Sequence, residues 1–142
     1  MARMPFLNID RAGIERWSRD LFRLLVGFMY FQFGLLKFFP DLSPAEMIAE
    51  YTLGQLSGFA LETRTALTLL ATLECAIGVG LMTCLFPRLI FFLLNFHIIG
   101  TFMPLFLLPE FCFKFFPFAP TFEGQYIIKN LPLFAAAWIL IF

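Results

Sequence analysis

The chain has 142 residues, equal numbers of basic and acidic side chains, and a formal net charge of zero. It is 61% hydrophobic and only 14% charged, with a mean hydropathy of +0.85, which places it outside the soluble globular class. Neutrality without a basic stripe argues against nucleic acid as a partner. One histidine cannot supply a multi-histidine metal site or two ligands to one haem, and three cysteines without CxxC spacing predict neither a disulfide framework nor an iron–sulfur cluster; no metal site is expected.

Apolar runs of the roughly 20 residues needed to cross a bilayer lie near Leu21–Phe39, Leu67–Leu85, Leu89–Leu108 and Tyr126–Phe142. They predict an all-α fold, an integral membrane bundle of four transmembrane helices over residues 21–142. Residues 1–20 form a preceding cytoplasmic segment. Arg3, Arg11, Arg16 and Arg19 alternate there with Asp10, Glu15 and Asp20. That segment is too long and too acidic for a signal-peptide n-region, so the first run should remain as an anchor. Basic residues near the run ends, with Arg88 in the tight second connection, place both termini in the cytoplasm. Arg64 and Lys114 fall on the outer side, diluted by acidic residues. The location expected is a bacterial or archaeal cytoplasmic membrane.

Along the first run, Arg23, Gly27, Tyr30, Gly34 and Lys37 follow steps of four, three, four and three, a single helical stripe. Gly27 and Gly34 allow another helix backbone to approach closely. Two readings of its charged ends stay open: Arg23 and Lys37 reach opposite headgroup regions, or Lys37 turns inward to a ligand. Gln32 lies at mid-depth in the same run.

The first outer loop carries its own helix signal. Ser43-Pro44-Ala45-Glu46 reads as cap, first-turn proline and capping-box glutamate, with Leu42 and Met47 as the staple. Gly54 supplies the stop. Met47, Ile48 and Tyr51 give this short helix an amphipathic face for the outer interface.

Glu74 sits in the middle of the second run, one turn before Gly78. A carboxylate at that depth needs a proton, a partner or a wet cavity. His97 occupies a matching level of the third run, so the two are candidates for proton transfer; a structural tie between helices is the competing reading. Gly100, Thr101 and Pro104 then weaken that helix.

The second outer loop, Pro109–Gln125, holds three prolines and should be extended or turned. It is also rich in phenylalanine, of which the chain has 22. Lys37-Phe38-Phe39-Pro40 recurs as Lys114-Phe115-Phe116-Pro117, a hint of a duplicated unit. The aromatics serve either as lipid-facing bulk or as walls for a flat apolar ligand such as a quinone ring. In the fourth run Lys129 either reaches the boundary or turns toward Glu74, and Pro132 predicts a kink.

Arg23, Gly27, Gly34 and Lys37, then Glu74 and Gly78, then Glu123 with Lys129-Asn130 together resemble the DoxX-like four-helix membrane proteins. The likeness runs over residues 20–140. It implies a four-transmembrane bundle and kinship either with the thiosulfate:quinone oxidoreductase membrane subunit or with accessory, assembly or chaperone-like membrane proteins. Three functions follow as expectations. The first is an accessory or structural subunit of a larger respiratory or redox membrane complex, built with other membrane subunits or as a homo-oligomer. The second is a quinone-linked oxidoreductase subunit in which Gln32, Lys37, Glu74, His97 and Lys129 bind the ligand. The third is a proton-coupled transporter of small solutes. No motif for a bound cofactor is present, and a quinone is the one such molecule these features suggest.

Overall fold

The computed structural model describes residues 11–43 and 46–139. It is mostly helical. The helices are α1 (Arg11–Leu36), α2 (Glu46–Leu56), α3 (Thr63–Thr83), α4 (Pro87–Phe102), α5 (Pro104–Leu107), α6 (Pro109–Cys112), α7 (Phe122–Ile128) and α8 (Leu131–Ile139). A two-stranded antiparallel hairpin, β1 (Phe113–Phe115) and β2 (Ala119–Pro120), interrupts them.

Two stretches, Thr63–Thr83 and Pro87–Leu107, are long and apolar enough to cross a membrane. Four were expected, and the other two runs fall short for separate reasons. The 26-residue α1 has the length, but charged residues fill its first half. The run Tyr126–Phe142 is divided at Lys129–Asn130 into α7 and α8, whose described lengths of 7 and 9 residues are each too short by themselves at about 1.5 Å per residue. Residues 140–142 lie outside the described part, as do residues 1–10. Pro132 falls in the first turn of α8, where no helical donor is required, so the break precedes it.

The antiparallel pair α1 and α3 is the most extensive packing in the molecule. Glycine makes it possible. A Cβ on Gly27 would lie 2.9 Å from the Gly78 carbonyl oxygen, and one on Gly34 would lie 2.8 Å from both the Ala71 oxygen and the Cys75 nitrogen. The two helices also cap each other. Arg23 of α1 donates to Leu81 O at 2.6 Å and Met82 O at 3.3 Å, at the C-terminal end of α3. Arg64 in the first turn of α3 donates to Lys37 O at 3.4 Å and to Phe38 O, just beyond α1. Each guanidinium thus meets carbonyls that have no intrahelical donor, at the negative end of a helix dipole.

The main core forms between α1, α3, α4 and α8, from Val26, Tyr30, Ile77, Leu81, Ile90, Leu94, Ile98 and Ala137. Along α4 and α5 the opposite face stays open. Phe92, Phe96, Ile99, Met103 and Phe106 follow steps of four, three, four and three and are all exposed. This is an apolar stripe that no described part of the chain covers.

A smaller cluster holds the loops. Ile48 of α2 packs with Cys112 and Ile127, while Met47 and Tyr51 face out. The cap signal at Pro44 and Ala45 falls outside the described residues. The stop is not at Gly54, as the sequence suggests. The helix runs on to Leu56, and the reversal comes at Gly58 (φ +61°), after which the Phe59 ring folds over Gly54. Only glycine enters that left-handed region freely. The second loop is less open than its prolines imply. It holds the helical turns α5 and α6 and then the hairpin, with a cis peptide bond at Phe116–Pro117. Its Lys114 lies exposed in β1, whereas Lys37 is buried just past α1, so the two similar tetrapeptides adopt unlike conformations.

Thr121 caps α7, accepting from Gly124 N at 3.1 Å, and also donates to Phe111 O at 2.7 Å. Replacing it with alanine removes both bonds. Thermal unfolding of Thr121→Ala should register a loss of about 1–2 kcal/mol; a wild-type melting curve would contradict this role.

Candidate functional site

Four side chains from three helices meet in the interior. Tyr30 comes from α1, Lys37 from the turn that ends α1, Glu74 from α3 and His97 from α4. All four are 5–8% exposed. Lys37 Nζ donates to Glu74 Oε2 at 2.7 Å. His97 Nε2 lies 2.9 Å from Glu74 Oε1, and His97 Nδ1 lies 3.3 Å from the Tyr30 hydroxyl.

Periodicity explains who arrives. Tyr30 and Lys37 are seven residues apart, two turns on one face of α1, the face that carries Gly27 and Gly34. The close approach allowed by those glycines brings the ends of Lys37 and Glu74 within reach. Gly78, one turn beyond Glu74, has the same role from the other side, since its Cβ would meet the backbone of Phe31 and Gly27.

One assignment of donors and acceptors satisfies every contact. An ionised carboxylate only accepts, so a proton on His97 Nε2 points at Oε1 and the Lys37 ammonium points at Oε2. With Nε2 protonated, a neutral imidazole leaves Nδ1 as an acceptor for the Tyr30 O–H. The four groups then form one chain, Tyr30 to His97 to Glu74 from one side and Lys37 to Glu74 from the other. Its net charge is zero, the least costly arrangement away from water. The Tyr30 and His97 rings meet edge to face at 5.2 Å. Lys37 reaches one further acceptor, Phe33 O at 3.5 Å.

The remaining candidates lie elsewhere. Gln32 is exposed. It is two residues from Tyr30, about 200° around a helix of 3.6 residues per turn, and so on the opposite face. Depth along the run is the one feature that points to it. Lys129 is exposed at the end of α7 and makes no side-chain bond among the described residues; it does not turn toward Glu74. Tyr30 completes the site although its ordinary aromatic character hid it. The signal was its place in the stripe between Gly27 and Gly34. Arg64, which fastens the Lys37 backbone, had no such signal, because it reaches the site only through the crossing of α1 and α3.

The fold and site define a mostly helical chain with two helices apolar enough for a membrane and a buried Lys–Glu–His–Tyr chain joining three helices. The chain matches no family model, no curated protein and no solved structure.

Proposed function

We propose that this chain is an integral membrane protein of the DoxX-like kind and an accessory or structural subunit of a larger membrane complex. The carrying observation is the closed state of the buried chain. Both oxygens of Glu74 and both ring nitrogens of His97 have partners within the molecule. They hold α1, α3 and α4 together and leave neither residue seeking a substrate. Residence in a bilayer is supported by the exposed phenylalanine stripe of α4 and α5, since a soluble monomer seldom leaves so much contiguous apolar surface uncovered. The four-helix arrangement belongs to this reading, with α7 and α8 together serving as the fourth crossing. So does the cytoplasmic placement of the end that carries Arg16, Arg19, Arg23 and Arg88.

Two measurements test it. Alkaline carbonate should leave the chain in the membrane pellet. Extraction in mild detergent should then yield an assembly well above the 16.4 kDa of one chain, with the same companion chains in fixed proportion. A stable, monodisperse, partnerless monomer overturns the subunit reading.

A second reading has its own support. The unbroken series of donors and acceptors from Tyr30 to Lys37 suits a proton relay in a quinone-linked subunit. On that reading Glu74→Gln abolishes quinone turnover while the protein stays folded. Turnover that survives this change sets the relay aside.

A further inference from the structure

A cavity of about 340 Å³ opens at the other end of the bundle from Lys37, between α1, α4, α8 and the turn joining α3 to α4. Its rim is basic. Arg16, Arg19 and Arg23 follow steps of three and four on one face of α1 and all line the opening, with Asp20 the one acidic residue among the described lining groups. Its floor is apolar, formed by Leu81, Ile90 and Leu94, each buried.

The three arginines are not equivalent. Arg23 is committed, bonded to the carbonyls that end α3 and paired with Asp20 at 3.4 Å. Arg16 and Arg19 make no side-chain hydrogen bond or ion pair among the described residues. Two guanidiniums, each a planar fork of donors, thus stand over a greasy recess. That geometry matches a tetrahedral oxyanion attached to a hydrocarbon tail. The volume lies in the range of small-molecule sites.

We propose that this cavity binds one anionic phospholipid, with its phosphate on Arg16 and Arg19 and the start of an acyl chain over Leu81, Ile90 and Leu94. The site rests on the membrane reading above and adds to it a specific lipid from the leaflet facing the arginine-rich end. Arg23 orders the rim by fixing α1 against the end of α3. A basic recess between helices on the cytoplasmic side suits an anionic headgroup better than a zwitterionic one.

The test uses the purified full chain in an uncharged detergent, with native mass spectrometry to count retained lipid. Phosphatidylglycerol should be retained about 25-fold better than phosphatidylcholine of the same acyl chains, since each of the two arginines contributes about fivefold near an anionic headgroup. Arg16→Gln with Arg19→Gln should remove that preference and leave the melting curve unchanged. Arg88→Gln, an exposed arginine at the same end but outside the cavity, should leave the preference intact. Equal retention of the two lipids overturns the site. So does a loss in Arg88→Gln as large as in the double variant, which would signify diffuse surface charge. Displacement by glycerol phosphate would mark a free-phosphate site and overturn the lipid assignment. Release of the chain by carbonate overturns the membrane reading and the site together, whereas carbonate resistance without lipid preference overturns the site alone.

Discussion

Glu74→Ala should destabilise the fold by about 3–5 kcal/mol, the range for removing one partner of a buried ion pair. The side chains of Lys37 and Glu74 are 10% and 7% exposed, so water cannot replace the missing carboxylate. Among the described residues the ammonium would keep only Phe33 O, at 3.5 Å, and the imidazole would lose its acceptor at Nε2. A paired control separates the charge from the space it fills. Lys37→Met combined with Glu74→Leu removes both charges and keeps the volume, and it should recover most of the loss while His97 retains Tyr30. Unfolding in detergent of the wild type, both single variants and the double variant measures the coupling directly. A near-zero coupling energy would mean that the 2.7 Å contact contributes little to holding α1 on α3.

The second large effect is expected at Gly78. A Cβ there would lie 2.5 Å from Phe31 N, 2.7 Å from Gly27 O and 2.8 Å from Phe31 Cα. All three atoms are backbone of α1, so no rotamer change relieves the overlap and the helices must separate. Gly78→Ala should cost about 1–3 kcal/mol as overpacking, and Gly78→Val more. The damage should spread. Glu74 lies one turn away, so separating the helices also stretches its bond to Lys37, and Gly78→Ala should reduce the coupling measured in the cycle above. Gly100→Ala provides the contrast. Among the described residues, no neighbouring atom lies within 4 Å of the place its Cβ would take, and alanine favours a helix over glycine by about 1 kcal/mol. That variant should be neutral or slightly more stable. Equal losses at Gly78 and Gly100 would show that the close crossing is not what glycine provides.

What the sequence determined by itself was local. Spacing put Gly27, Tyr30, Gly34 and Lys37 on one face of a helix, and run lengths put Glu74 and His97 at one depth. The pattern also marked an outer-loop helix between Ser43 and Gly54, because helical periodicity is written into neighbours three and four residues apart. The tertiary structure decided the rest. It turned Lys37 inward rather than toward a boundary, brought Tyr30 onto His97, and left Gln32 and Lys129 exposed. It carried α2 on to Leu56, with the reversal at Gly58 rather than a stop at Gly54, and it divided the last apolar run at Lys129–Asn130. Depth along a helix says how far a residue lies from an end and nothing of its direction. Direction becomes meaningful only when one helix finds another, and here that meeting is set by backbone contact at glycines, which pairs residues 37 positions apart.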